Sequence, residues 1–261
     1  MPVKLIAQNF NIYEGDNLHP GARTGEISID HLISAGAAGV IIGHSETNDS
    51  PEVINSKIKT VINNKNLPPD FKLIILVGES WQEFKEKSEP EVAAIIYGKC
   101  ETVFKDIPKE IVANSIIGYE SKWGTQGSGQ SNVVPPQPKL ISTCVASIRQ
   151  FVSDKYQDAK PFFIYGGTAT PARTLEILTD KNLDGLILGS ACNTLQKTMA
   201  IVQAILEVKG NEDKVLICNF KAYILSDSYQ DYIAELKKLP ANFFVYVAPP
   251  HTDLRLVKQL T

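Results

Sequence analysis

Side chains able to do chemistry recur in this sequence at one kind of place, the residues that directly follow short apolar runs. Gly39-Val40-Ile41-Ile42 leads into Gly43-His44-Ser45-Glu46, and the run from Lys72 leads into Gly78-Glu79. Later runs end in Tyr119-Glu120, in Tyr165-Gly166-Gly167-Thr168, in Gly189-Ser190 and in Cys218-Asn219-Phe220-Lys221. Taken singly, each has a plain structural explanation: a His or Glu satisfied by a hydrogen bond, a Lys left as a solvated charge, glycines that turn the chain tightly. Taken together they form a set. Adjacent Gly-containing turns expose backbone N–H groups that can hold a phosphate. A carboxylate, a neutral imidazole, an ammonium and an amide around such a cradle can move a proton on the carbon beside a carbonyl. The base would remove the proton, and the His and Lys would stabilise the enediolate oxygen.

Bringing these residues together requires a fold that gathers many strand ends. The apolar runs number eight: Lys4 to Gln8, Gly39 to Gly43, Lys72 to Gly78, Ser115 to Glu120, Pro161 to Gly166, Asp184 to Gly189, Lys214 to Asn219 and Asn242 to Ala248. Each is followed by an amphipathic stretch: Ile27 to Ser34, Glu52 to Val61, Trp81 to Phe104, Pro138 to Val152, Pro171 to Thr179, Thr194 to Val208, Ser226 to Lys238 and Thr252 to Leu260. Short apolar runs alternating with helical periods are the signature of βα units. Near-continuous apolar strands indicate a parallel sheet covered on both faces. Eight such units in about 250 residues match a (β/α)8 barrel, whose strand ends converge on one pocket. A doubly wound open sheet is the alternative, but no GxGxxG turn follows Gln8. The Gly- and Pro-rich stretch from Gly124 to Pro136 falls inside one βα unit and reads as a long loop, so residues 1–261 are expected to form one domain.

Composition narrows the rest. With 43% hydrophobic and 21% charged residues, a disordered, collagenous or heptad-dominated chain is excluded. A net charge of -3 gives no basic field to collect nucleic acid or an anionic membrane, so an anionic ligand must be held locally. Cys100, Cys144, Cys192 and Cys218 show no CxxC spacing and no His pair at ligand distance, which predicts buried free thiols and no metal site. His19, His31 and His251 read as surface or capping residues. No apolar run approaches the ~18 residues of a membrane span, and the start has too short an apolar run for a signal peptide. A soluble cytoplasmic protein is expected.

At this level of detail the motifs resemble the triosephosphate isomerase family. Gly39 to Glu46 is similar to the family's electrophile motif, and Tyr119-Glu120-Ser121-Lys122-Trp123 to its base and lid segment. Tyr165 to Thr168 and Leu186 to Ser190 resemble its two phosphate turns, and Thr24-Gly25-Glu26 its interface loop. The order is rotated. The family's first strand carries Asn-Trp-Lys, whereas the similar Asn219-Phe220-Lys221 comes late here and is followed by Val245 to Pro250, which resembles the family's second strand. The resemblance therefore implies a circularly permuted TIM barrel, the usual termini joined through Gly210 to Asp213 and new ends opened on the face away from the pocket.

The same resemblance implies interconversion of dihydroxyacetone phosphate and D-glyceraldehyde 3-phosphate, without cofactor or metal, by a homodimer. Glu120 would shuttle the proton, His44 would polarise the carbonyl as a neutral imidazole, and Lys221 and Asn219 would bind the oxyanion side, with Glu46 holding Lys221. Gly127, Thr168, Gly189 and Ser190 would receive the phosphate. Trp123, Tyr165 and Ile187 would support a lid that shields the enediolate from water.

Departures cluster in two places. After Glu120 the family expects Pro-Val-Trp-Ala-Ile-Gly, but Ser121-Lys122-Trp123-Gly124-Thr125-Gln126-Gly127 stands here, one residue longer and without the Pro. A less desolvated base and slower turnover are expected from this. Thr47-Asn48 replace two arginines, Arg23 replaces an aromatic, and the segment from Gln8 to Thr24 is longer than usual, so the dimer contacts should differ. The altered lid also admits another reading, a catalytically weakened phosphate-binding sensor, although such a binder needs no general base. A sugar-phosphate enzyme of another barrel family would not explain the two motifs occurring together.

Overall fold

In the computed structural model, which describes residues 2–12, 23–124, 134–223 and 227–261, all eight apolar runs form parallel strands. They are β1 (Val3–Leu5), β2 (Gly39–Ile42), β3 (Lys72–Val77), β4 (Ile116–Tyr119), β5 (Phe162–Gly166), β6 (Gly185–Leu188), β7 (Lys214–Asn219) and β8 (Phe243–Ala248). Their hydrogen-bonded order is β1-β8-β7-β6-β5-β4-β3-β2. The two ends of that row meet beyond the end of β1. Ala7 bridges Val40, its N–H donating to Gly39 O at 2.9 Å while its carbonyl accepts from Ile41 N–H at 2.9 Å. The sheet is thus a ring, a (β/α)8 barrel with one short seam between β1 and β2. A ring has no first strand, so opening it elsewhere leaves every neighbour in place, and this order is the one a circular permutation preserves.

Period-two alternation sorts the strand residues into two cores. Ile74 and Leu76 of β3 and Val215 and Ile217 of β7 point inward, joining Ile41, Ile116, Ile164 and Tyr246 inside the barrel. Leu73, Ile75, Leu216 and Cys218 point outward into the shell beneath the helices. All four cysteines lie there or beside it, free and buried. Packing is close enough that a Cβ on Gly185, at the start of β6, would lie 1.9 Å from the Val215 carbonyl oxygen. Only glycine lets β6 and β7 approach at that level.

The helices are α1 (Ile29–Ser34), α2 (Pro51–Ile62), α3 (Trp81–Phe84), α4 (Glu89–Val103), α5 (Lys109–Ala113), α6 (Pro138–Lys155), α7 (Pro171–Leu178), α8 (Leu195–Lys209), α9 (Tyr229–Leu236) and α10 (Leu254–Lys258). Local sequence sets their starts. Ser50 and Thr170 cap α2 and α7 by accepting from backbone N–H groups, each with Pro at the first helical position. The stretch from Trp81 to Phe104, expected as one helix, is two. Glu86 takes a left-handed φ of 63°, and Ser88 with Glu91 forms a capping box that begins α4 afresh. The sequence reading also passed over α5, a single turn that follows Pro108. At the seam, α10 packs against β1 as well as following β8.

Candidate active site

Each strand delivers its terminal residue to the carboxyl end of the ring, and the local backbone then sets the side chain. β2 is followed by His44 and a 3-10 turn over Ser45–Thr47. That turn folds back on the ring: the Glu46 N–H donates to His44 Nδ1 at 3.1 Å, and Thr47 Oγ1 donates to the His44 carbonyl at 2.8 Å. A neutral imidazole has one donor and one acceptor nitrogen. With Nδ1 accepting, the ring proton sits on Nε2, the nitrogen that faces Glu120.

Glu120 continues the β4 ladder by one bond, its N–H donating to Val77 O at 3.0 Å. One carboxylate oxygen, Oε2, accepts from the Ser45 N–H at 2.7 Å. The other, Oε1, stands 3.5 Å from His44 Nε2. Both side chains are buried, at 5% and 7% exposure. Gly78 is what allows the Glu120 segment to lie so close to β3, because a Cβ there would lie 1.8 Å from the Glu120 carbonyl oxygen.

Across the pocket, Asn219 ends β7 and its Oδ1 accepts from the Lys221 N–H at 3.1 Å. Lys221 itself takes φ 50°, a conformation that costs a non-Gly residue of order 1 kcal/mol and persists where surroundings enforce it. Gln8 supplies that enforcement. Its Nε2 donates to the Lys221 carbonyl and to the Ala248 carbonyl, both at 2.9 Å, pinning the β7 and β8 ends together. The Lys221 ammonium pairs with Glu46 Oε1 at 2.6 Å. Glu46 therefore serves two ends, its backbone on His44 and its carboxylate on Lys221.

The cavity so formed encloses about 400 Å³, its open mouth included, and is lined by His44, Glu120, Gly167, Thr168, Ile187, Gly189, Ser190, Asn219 and Lys221. Nearly every residue singled out for catalysis or phosphate binding is thus brought to one place, with Glu46 immediately behind. Gly127 lies outside the described residues, as do Thr125 and Gln126. Trp123 and Tyr165 stand at one remove. Trp123 donates through Nε1 to Glu79 Oε1 at 2.7 Å and stacks on Phe84 with centroids 4.1 Å apart. The Tyr165 hydroxyl is buried without a hydrogen-bond partner among the described residues, and burial pushes it up to about 12. Arg173, which the sequence reading did not single out, ties the Gly167-Thr168 turn to the chain beyond residue 133, donating to the Thr168 carbonyl at 3.1 Å and to that of Pro136. Gln8 was also missed as a site residue, although a polar side chain ending an apolar run is the signal that found the others.

His31 completes the capping box of α1, and His251 Nε2 contacts the Asn9 carbonyl at 2.9 Å. Among the described residues no cluster of three or more His, Cys, Asp or Glu is placed to hold a metal, and no helix is long and apolar enough to cross a membrane.

A closed ring of eight parallel strands, helices outside and a polar pocket at its carboxyl end, defines the chain as a (β/α)8-barrel protein. A family model described as triosephosphate isomerase matches residues 1–205. The chain is 30% identical over 207 residues to the triosephosphate isomerase of Alkaliphilus oremlandii, covering 77% of this chain and 76% of that protein. It is 32% identical over 209 residues to that of Dictyoglomus turgidum, covering 78% and 77%, and 30% over 189 residues to that of Mycoplasmoides gallisepticum, covering 70% of each. This chain belongs to the triosephosphate isomerase family. The match stops at residue 205, and β7 and β8, with Asn219-Phe220-Lys221, lie beyond it. Those are the two units a circular permutation would move out of reach of an alignment that follows the family's order.

The buried carboxyl behind Trp123 gives a pH signature. Glu79 is fully buried; its Oε1 accepts from Trp123 Nε1 and from Tyr119 Oη at 3.1 Å, and Oε2 has no partner among the described residues. Burial raises its pKa above the ordinary 4.5. As pH rises past that value the unfolded chain has lost a proton the native protein keeps, so this group's contribution to stability falls with rising pH until the native carboxyl also ionises. Glu79→Gln should therefore gain stability relative to the parent across that window, by up to about 1.4 kcal/mol per pH unit. Urea unfolding of both proteins at a series of pH values measures it, and a difference independent of pH would contradict the assignment.

Proposed function

We propose that this chain, acting as one barrel domain, interconverts dihydroxyacetone phosphate and D-glyceraldehyde 3-phosphate through an enediolate, with no cofactor or metal. The observation that carries the reading is the pair across the pocket, Glu120 Oε1 and His44 Nε2 at 3.5 Å, with Lys221 and Asn219 on the same lining. Glu120 takes the proton from the carbon beside the carbonyl and returns it to the neighbouring carbon. His44 Nε2–H, the Lys221 ammonium and the Asn219 amide donate to the oxygen as it gains charge, a contribution that grows in a water-poor site. Glu46 steadies Lys221: an ammonium paired at 2.6 Å is held in one place, with its remaining N–H donors free for the substrate oxygen.

Thr168, Gly189 and Ser190 receive the phosphate, with Gly127 joining them from outside the described residues. Trp123, Tyr165 and Ile187 support the lid, and the altered residues after Glu120 make turnover slower than is usual in the family. The active form is a homodimer in the cytoplasm, serving glycolysis and gluconeogenesis.

A coupled assay of glyceraldehyde 3-phosphate isomerisation on the parent beside Glu120→Ala tests the reading. Turnover in the parent and a loss of about 10²–10⁴-fold in the variant is the expected result. A parent without turnover that still binds a phosphorylated enediolate mimic would turn the assignment to a phosphate-binding sensor, and a parent that does neither would sink the site. Light scattering should give the mass of two chains. Full activity at the mass of one would contradict the dimer.

A further inference from the structure

Two separate departures from the family's sequence pattern touch each other in this fold. Lys122, two residues after the base, reaches the turn that carries His44: its Nζ donates to the Asp49 carbonyl at 2.9 Å and to Asn48 Oδ1 at 3.3 Å. Asn48 takes a left-handed φ of 53° at the end of that turn, which brings its amide back toward the base segment. Asn tolerates this conformation better than most residues. At the other end of the same turn, the Ser45 N–H holds Glu120 Oε2 at 2.7 Å. The three residues 120–122 are therefore clamped to the electrophile turn at both ends.

The clamp has a rigid footing. Asp49 Oδ2 accepts from Lys57 Nζ at 2.7 Å, and the single Thr47 hydroxyl proton is shared between Asp49 Oδ2 at 3.0 Å and the His44 carbonyl at 2.8 Å. Lys57 is itself buried and donates to Asn9 Oδ1 at 2.8 Å, beside the barrel seam. On the opposite side the Lys122 N–H donates to the Glu79 carbonyl at 2.9 Å. A path of hydrogen bonds thus runs from the lysine ammonium through Asp49 and Thr47 to the backbone of His44.

We propose that Lys122 is a positioning residue: its ammonium, bound to Asn48 and Asp49, sets the spacing between the Glu120 segment and the His44 turn. Without it the Glu120 segment keeps its backbone bonds to Val77 and Glu79, but its only remaining tie to the His44 turn is the Ser45 contact. A group displaced by a fraction of an ångström from its reacting partner loses rate rather than affinity. The kinetic part of the test rests on the isomerase reading. The structural part does not.

Lys122→Met keeps the aliphatic stem and removes the donors, whereas Lys122→Arg keeps charge and donors. In Lys122→Met, kcat should fall about tenfold with KM within twofold of the parent, and Lys122→Arg should recover most of the loss. Amide hydrogen exchange should quicken together in peptides spanning 44–49 and 119–124, about tenfold, with the rest of the barrel unchanged. A Lys122→Met protein that folds and shows neither the kcat loss nor the paired exchange change would overturn the proposal, even if its melting temperature fell. If the parent has no isomerase turnover, the isomerase reading fails and the exchange result alone decides this one. Should Lys122→Met not fold, Asn48→Asp places a full charge opposite Lys122 and should slow exchange in both peptides; unchanged exchange in that variant would overturn the proposal.

Discussion

One backbone hydrogen bond governs the chemistry available to this pocket. By donating to His44 Nδ1, the Glu46 amide makes that nitrogen an acceptor and leaves the proton on Nε2, facing Glu120. A turn of any other shape after β2 would free Nδ1, and the ring could then present either nitrogen or rotate away. The bond also sets the position of Glu46, whose carboxylate fixes Lys221. Through Ser45, the same short turn holds the Glu120 carboxylate. His44, Lys221 and Glu120 are therefore all referenced to three consecutive residues.

That arrangement holds only if β2, β4 and β7 end at the same level, and the closed ring enforces this. Strands locked on both sides cannot slide by one residue without turning their side chains to the wrong face. Close approaches such as β3 against the Glu120 carbonyl at Gly78, and β6 against β7 at Gly185, show how little slack remains. The ring also explains why a permuted order is compatible with the site. The pocket is assembled from strand ends, and the relocated chain break lies between β8 and β1, where Gln8 still joins the β7 and β8 ends by two hydrogen bonds.

What could be read from the sequence, and what could not, divides along physical lines. The strands stand out because both faces are covered, so runs such as Leu73 to Val77 and Val215 to Cys218 are apolar throughout. The site residues stand out because polarity at the end of such a run has few structural uses. The break between α3 and α4 was hidden because a 3.6-residue period does not register a single left-handed residue such as Glu86. The bridge at Ala7 was hidden because ring closure is a long-range fact. Nothing in the spacing of Asp49 and Lys57 marks a buried ion pair. Nothing marks Lys122 as its neighbour, because Lys122 and Asp49 come from different βα units. Gly127 and residues 13–22 of the long segment before Thr24 lie outside the described residues.

The central claim is that the His44 ring is held with Nδ1 as a hydrogen-bond acceptor and its proton on Nε2. The direct measurement is 15N NMR of the histidine rings in the whole protein at neutral pH, with His44 assigned among the four histidines by its loss in His44→Asn. The account predicts a protonated Nε2 and a bare, hydrogen-bond-accepting Nδ1. A ring protonated on both nitrogens, or on Nδ1 alone, would contradict it.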